Sequence, residues 1–278
     1  MQLASISTRT PTKKFKLALV LFLAVGAVVG GVWMQRFKGT GWTNTINPVL
    51  WYHRNRGDDL YQREEAFLRH GNRELPEVAL TFDDGPHPAS RSRLLETLKK
   101  HGAHATFFDV GQNMAAHPEL VRRTLEEGHE VANHSQHHFR FPELSRQERH
   151  REINEPDVAF YAIANKHLNL IRPPGMRYDP QVLKETRELG YVVVGYTTAS
   201  LDFDPKETPE VVAERTLRRT ENGSIILLHD YPPTAEALDK ILETISQRGF
   251  KCVTISEMLD HLPSTVNDAA KKFRETGE

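Results

Sequence analysis

The stretch VALTFDDGP, residues 78–86, decides how the chain is read. Val78, Ala79 and Leu80 are apolar, and Thr81 and Phe82 favour extended backbone, so 78–82 reads as a buried strand. It runs directly into Asp83 and Asp84, then into a Gly85-Pro86 turn. Two carboxylates at a strand end are costly to hold without partners, although Asp, Gly and Pro are also ordinary turn residues. Outward from this stretch the same unit recurs. Short runs at 105–110 (ATFFDV), 129–133 (HEVAN), 170–172 (LIR), 191–196 (YVVVGY), 224–228 (SIILL) and 251–255 (KCVTI) alternate with segments of helical period. Within 235–248, Leu238, Ile241, Leu242 and Ile245 share one helical face. Gly102, Gly128, Gly190, Gly223 and Gly249 stand where helices should end. Asp179-Pro180 and Thr208-Pro209 read as N-caps followed by proline in the first turn. Seven strands alternating with helices imply a parallel α/β architecture, and an open doubly wound sheet and a closed or incomplete barrel both fit. In either, functional groups gather at the carboxyl ends of the strands.

Five of those ends carry chemistry, the first in Asp83 and Asp84. After the third strand comes Asn133-His134-Ser135-Gln136-His137-His138. His134 and His138 are four apart, so a helical turn would align their rings, and with one carboxylate they would make a three-ligand metal site. An extended segment would bring in His137 instead. After the fourth strand, Arg172 in Arg172-Pro173-Pro174-Gly175 could grip a carboxylate in bidentate fashion. An acidic loop with an aromatic wall, Ser200-Leu201-Asp202-Phe203-Asp204, follows the fifth, and the sixth ends in Leu227-Leu228-His229-Asp230. Surface histidines, a solvated arginine and a plain acidic loop are the ordinary readings of these segments taken singly. Convergence at five of the seven strand ends makes coincidence a poor account.

Composition narrows the classes. The chain has 278 residues, with 36 Lys and Arg against 37 Asp and Glu, a near balance that argues against phosphate-driven nucleic-acid binding. A single cysteine, Cys252, excludes an intrachain disulfide framework and a cysteine-built zinc site. Fourteen histidines are in excess, and histidine is the commonest metal ligand. Residues 17–35 contain no charge and are nearly all apolar, enough helix for about 28 Å, close to a bilayer's hydrocarbon core. Arg9, Lys13, Lys14 and Lys16 precede it, which places the N-terminus in the cytoplasm. The expected layout is a basic tail (1–16), a transmembrane signal-anchor (17–35), a juxtamembrane linker or first piece of the folded domain (36–76), a catalytic body (77–262) and a polar tail (263–278). Everything beyond the anchor would lie outside the cytoplasm, secreted if the apolar segment is cleaved.

In order, TFDDGP, HSQHH, RPPG, LDF and LLH resemble the five motifs of NodB-homology polysaccharide deacetylases, carbohydrate esterase family 4. ATFFDVG and GHEVANH are similar to that family's flanking segments. The resemblance implies a distorted or incomplete (β/α)7–8 barrel and one divalent metal ion, zinc first, with cobalt or manganese as alternatives. It implies removal of N-acetyl groups from N-acetylglucosamine-type residues of an envelope or extracellular glycan: peptidoglycan, a chitin-like polymer or poly-N-acetylglucosamine. By the same resemblance Asp84, His134 and His138 bind the metal, Asp83 is the general base and His229 the general acid. Arg172 orients Asp83, Asp202 holds His229 charged, and Pro174, Gly175, Phe203 and Leu227 face the substrate. Two departures stand out: Gly175 and Phe203 occupy positions where the family commonly has Tyr and Trp. A silent carbohydrate-binding protein and an O-acetyl esterase acting on xylan-type glycans are the alternatives.

Overall fold

The computed structural model describes residues 61–62, 66–204 and 206–263. The basic tail, the apolar run at 17–35 and the polar tail after residue 263 lie outside the described residues. Among those described, no helix is long and apolar enough to cross a membrane. All seven expected strands are present, as β3 (Glu77–Asp83), β4 (Thr106–Asp109), β5 (Glu130–Asn133), β6 (Leu170–Ile171), β7 (Val192–Val194), β9 (Ser224–His229) and β10 (Lys251–Cys252). Three short ones join them: β1 (Tyr61–Gln62), β2 (Phe67–Leu68) and β8 (Thr198–Ala199). The first two come from the stretch read as linker. The sheet runs β1-β2-β7-β6-β5-β4-β3-β9-β8, parallel except for the β1–β2 pair. On β3, β10 pairs with Glu77 and Val78 while β4 pairs from Thr81 to Asp83, so they share one edge and β9 takes the other.

Period-two alternation divides the central strands between the two sides of the sheet. Ala79, Phe108, Ala132, Leu170, Val192, Val194 and Ile225 meet on the concave side, closed by Ile255, Met258 and Leu259 of α8 (Ile255–Asp260). Leu80, Phe82, Phe107, Ile226 and Leu228 meet on the convex side against α1 (Arg91–Lys100), α6 (Pro209–Arg218) and α7 (Pro232–Gln247). Ile171 and Val193 pack outward against α4 (Arg146–Ala164) and α5 (Pro180–Glu188). With helices outside and side chains filling the inside, the curled sheet is the incomplete barrel, and the doubly wound alternative falls away. The same alternation aims Thr81 and Asp83 of β3, and Leu227 and His229 of β9, into the barrel mouth.

The cap readings hold. The side chains of Asp179 and Thr208 accept from the N–H groups of Val182 and Val211. Several strands are shorter than expected, and 191–196 and 251–255 lose the most, keeping Val192–Val194 and Lys251–Cys252. In KCVTI only Lys251 and Cys252 pair, because Thr254 and Glu257 form a reciprocal capping box that starts α8.

His129, at the start of β5's approach, is 6% exposed and neither ring nitrogen has a hydrogen-bond partner. Burial, reinforced by nearby His104, pushes its pKa down to about 4. The unfolded chain takes up that proton near pH 6.5 while the folded chain resists it until about 4. Stability is therefore full above pH 6.5 and lost as pH falls towards 4, by at most about 3 kcal/mol. Denaturant unfolding at pH 7 and 4.5 should show His129→Gln losing less stability on acidification than the wild type, and an identical acid loss in both would contradict this.

Candidate active site

The loops at the carboxyl ends bend sharply. Seven described non-glycine residues have positive φ, and five of them, Asp84, Ser135, His138, Met176 and Leu201, sit in strand-end loops of the mouth. Such backbone is disfavoured by about 1–2 kcal/mol per residue and persists where surrounding contacts hold it. Asp84 (φ 71°) is held through its carbonyl, which accepts from Asn113 Nδ2 at 3.0 Å. In the 133–138 loop, Asn133 Oδ1 accepts from Ser135 N–H at 2.8 Å and Ser135 Oγ from His138 N–H at 2.9 Å. The expected helical turn is thus replaced by a tight loop with left-handed steps at Ser135 and His138, and it still brings the two rings together, 5.0 Å between centroids. His137 points elsewhere. Its Nδ1 pairs with Glu152 Oε1 at 2.7 Å and its N–H donates to Oε2 at 2.8 Å.

Asp84, His134 and His138 offer ligand atoms that all lie within 4.8 Å of one another. Asp84 Oδ1 is buried without a hydrogen-bond partner and faces His134 Nε2 at 3.4 Å and His138 Nε2 at 3.2 Å. Atoms about 2.0–2.1 Å from a common tetrahedral cation are about 3.3 Å apart, so these two spacings suit a small divalent cation. His134 Nδ1 donates to the carbonyl of Arg172 at 2.8 Å, the tautomer that leaves Nε2's lone pair free. Burial works against charge on His134, but Asp83 and Asp84 outweigh it and raise its pKa. Asp84 is correspondingly lowered, with the contacts to His134 overcoming the effect of burial. On His138, burial and then His134 lower the pKa. Two carboxylates converging here create a demand for positive charge that a cation would meet.

Two ion pairs flank the cradle. Asp83 Oδ1 accepts from Arg172 Nη1 at 2.6 Å, with both side chains buried. The bidentate grip is not formed. Arg172 donates from Nη1 also to Thr81 Oγ1, from Nη2 to the Gly195 carbonyl and from Nε to the Val194 carbonyl, and lies 4.2 Å over the Phe108 ring. Fully buried, the guanidinium must satisfy every N–H, and the carbonyls at the end of β7 take those that a second carboxylate contact would have used. Across the mouth, His229 Nδ1 donates to Asp202 Oδ1 at 2.7 Å, and Asp202 Oδ2 accepts from His229 N–H at 2.7 Å and from Thr234 Oγ1. Burial works to lower the His229 pKa, but the Asp202 hydrogen bond and charge raise it overall. Phe203 is 56% exposed and stands edge-on to His229. Pro174 is buried, Gly175 is exposed at φ 57°, and Leu227 is half-buried one strand position before the mouth.

Sequence reasoning missed four residues. Tyr231 donates its hydroxyl to Asp84 Oδ2 at 2.7 Å, and its place two residues beyond His229 was the available signal. Arg91, Asp109 and Asp230 form a fully buried ionic cluster on the convex side, with Arg91 Nε donating to Asp230 Oδ2 at 2.7 Å. Burial pushes Asp109 up to about 6, with Arg91 opposing it. The cluster lies against Gly85, where a Cβ would come within 2.2 Å of Arg91 Nη2 and 2.5 Å of Asp230 Oδ2. Only glycine fits there.

A buried acid–base pair on each side of a cation cradle, at the mouth of an incomplete barrel, is a constellation suited to hydrolysis. A family profile described as polysaccharide deacetylase matches residues 70–194. A peptidoglycan-N-acetylglucosamine deacetylase of Bacillus cereus is 34% identical over 190 residues, covering 66% of this chain and 87% of that protein. The peptidoglycan-N-acetylmuramic acid deacetylase PdaC of Bacillus subtilis is 33% identical over 186 residues, 65% of this chain. The alignment spans 38% of PdaC's length, so the chain matches about two fifths of that relative. Among solved structures, the Bc1960 peptidoglycan N-acetylglucosamine deacetylase superposes with a TM-score of 0.67 at 29% identity, covering 69% of this chain and 92% of that one. The chain belongs to the polysaccharide deacetylase family.

Arg91→Met would leave two buried carboxylates without a counter-charge. Denaturant unfolding should show a loss of about 3–5 kcal/mol, whereas a change below about 1 kcal/mol would contradict the clamp.

Proposed function

We propose that the chain is a metal-dependent hydrolase that removes N-acetyl groups from N-acetylglucosamine or N-acetylmuramic acid residues of peptidoglycan, releasing acetate. The observation that carries this reading is the register of β3 and β9, which sets Asp83 directly opposite His229. An acid and a base thus stand side by side at the mouth, each with its own partner, Asp202 for His229 and Arg172 for Asp83. The relatives are named for peptidoglycan deacetylation, which supports the glycan.

Asp84, His134 and His138 would hold the metal, and zinc fits their nitrogen and carboxylate donors. Bound there, zinc would supply Lewis acidity towards the acetamide carbonyl and towards water. Asp83 takes the proton from the attacking water. Its Oδ1 is tied to Arg172, and Oδ2 lies on the cradle side, 3.7 Å from His134 Nε2. His229 gives a proton to the departing sugar nitrogen, because an amine anion is too poor a leaving group. The N–H groups of Met176 and Arg177 are used within their turn, so Gly175 N–H is the donor that this turn offers to a developing oxyanion. Leu227 and Phe203 supply apolar surface for the acetyl methyl and the sugar. The apolar run 17–35 would anchor the enzyme by a single helix, with the basic tail inside and the catalytic body facing the envelope.

A CE4 family pseudoenzyme from Bacillus anthracis shares the fold, with a TM-score of 0.67 and 26% identity. The intact acid–base pairs favour catalysis over silent binding. Acetate release from peptidoglycan or N-acetylglucosamine oligomers with zinc present should fall by about 10²–10⁴ in Asp83→Asn. Retained activity in that variant would remove the proposed base. The raised pKa keeps His229 protonated into more alkaline solution, so Asp202→Asn should move the alkaline limb of the kcat/KM profile to lower pH. A limb that stays in place would break the His229–Asp202 link.

A further inference from the structure

We propose that Tyr231 is a positioning residue for the cation cradle, restricting Asp84 to one ligating oxygen. The inference rests on the reading of Asp84, His134 and His138 as a metal site. A carboxylate can ligate a cation through one oxygen or both, and nothing in its own chemistry selects between them. Here the two oxygens differ. Oδ2 accepts the Tyr231 hydroxyl at 2.7 Å, whereas Oδ1 is buried, has no hydrogen-bond partner and faces both imidazoles.

The hydroxyl is where it is because the ring cannot drift. Tyr231 is the N-cap residue of α7, followed by Pro232 and Pro233, and its N–H donates to the His229 carbonyl at 2.8 Å. Its ring lies parallel to the His229 imidazole, 5.7 Å between centroids at 10°, and meets His87 edge-on at 6.2 Å and 86°. The helix beyond it is tied to the acid's own partner through Thr234 and Asp202. Asp84 itself stands in left-handed backbone with only its carbonyl held by Asn113, so the side chain needs an external partner to fix its rotation. Tyr231 supplies that partner, and by stacking on His229 it sets the cradle and the acid in one frame. A tyrosine present only to pack the start of α7 would have no need of its hydroxyl here, and phenylalanine would serve equally.

The test is zinc affinity of the full chain by chelator competition at neutral pH, in wild type and Tyr231→Phe, together with visible spectra of the cobalt-substituted forms. Phenylalanine keeps both ring contacts and removes only the hydroxyl. Removing the outer hydrogen-bond partner of a ligand weakens metal binding about 10–100-fold, and that is the loss expected. The cobalt d–d absorption should also weaken as Oδ2 enters the coordination sphere and the coordination number rises. Tight zinc in the wild type, with affinity within about twofold and an unchanged cobalt spectrum in Tyr231→Phe, would overturn the role of Tyr231 alone. Wild-type protein that takes up no zinc, or whose zinc persists in His134→Ala/His138→Ala, would overturn the cradle and this inference with it.

Discussion

A guanidinium buried inside a barrel has to find a carboxylate and enough carbonyls to satisfy its N–H groups, and that constraint organises the mouth of this molecule. Arg172 is fully buried and bonds to Asp83 and Thr81 of β3 and to the carbonyls of Val194 and Gly195 at the end of β7. It also gives its own carbonyl to His134 Nδ1. One residue therefore ties the proposed base, a metal-ligand candidate and three strands together. Removing a partner from such a pair typically costs 3–5 kcal/mol, because the remaining charge is stranded away from water. That penalty keeps Arg172 and Asp83 paired.

The convex side of β3 repeats the device. Arg91 lies between Asp109 and Asp230 beneath Gly85, so the step from Asp83 to Asp84 has buried ionic groups on both sides. His87 N–H and Ser90 Oγ add bonds to Asp230, fixing the turn that follows. These contacts explain how Asp84 can sit in left-handed backbone. They also explain why two neighbouring carboxylates serve different ends: strand alternation aims Asp83 at Arg172, and the turn swings Asp84 to the histidines.

Much of this was legible beforehand, for physical reasons. The strands of the barrel are short apolar runs bounded by glycine, and helices with proline after Asp179 and Thr208 announce their starts. Position at the strand ends then singled out Asp83, Asp84, His134, Arg172, Asp202 and His229, all of which the structure brings to one mouth. The choice of barrel over doubly wound sheet rested on family resemblance, since alternation of strands and helices is common to both. The bidentate Arg172 grip failed because sequence does not reveal competing backbone carbonyls. The helical turn at 134–138 failed because Asn133 and Ser135 offer the backbone side-chain partners that favour a loop. Tyr231 and the Arg91–Asp230 pair stayed hidden for a different reason: the residues that meet are 139 to 147 apart in sequence, and only the sheet order brings them together.

The central claim is that Asp83 and His229, set opposite each other by β3 and β9, divide base and acid work between them. It is tested most directly by comparing amide and activated-ester substrates in His229→Ala. An N-acetylglucosamine oligomer needs a proton on its leaving nitrogen, whereas 4-nitrophenyl acetate loses a stable phenolate without one. The account predicts that acetate release from the oligomer falls by about 100-fold or more while ester hydrolysis stays within a few fold of wild type. Equal losses on both substrates, or none on either, would contradict it.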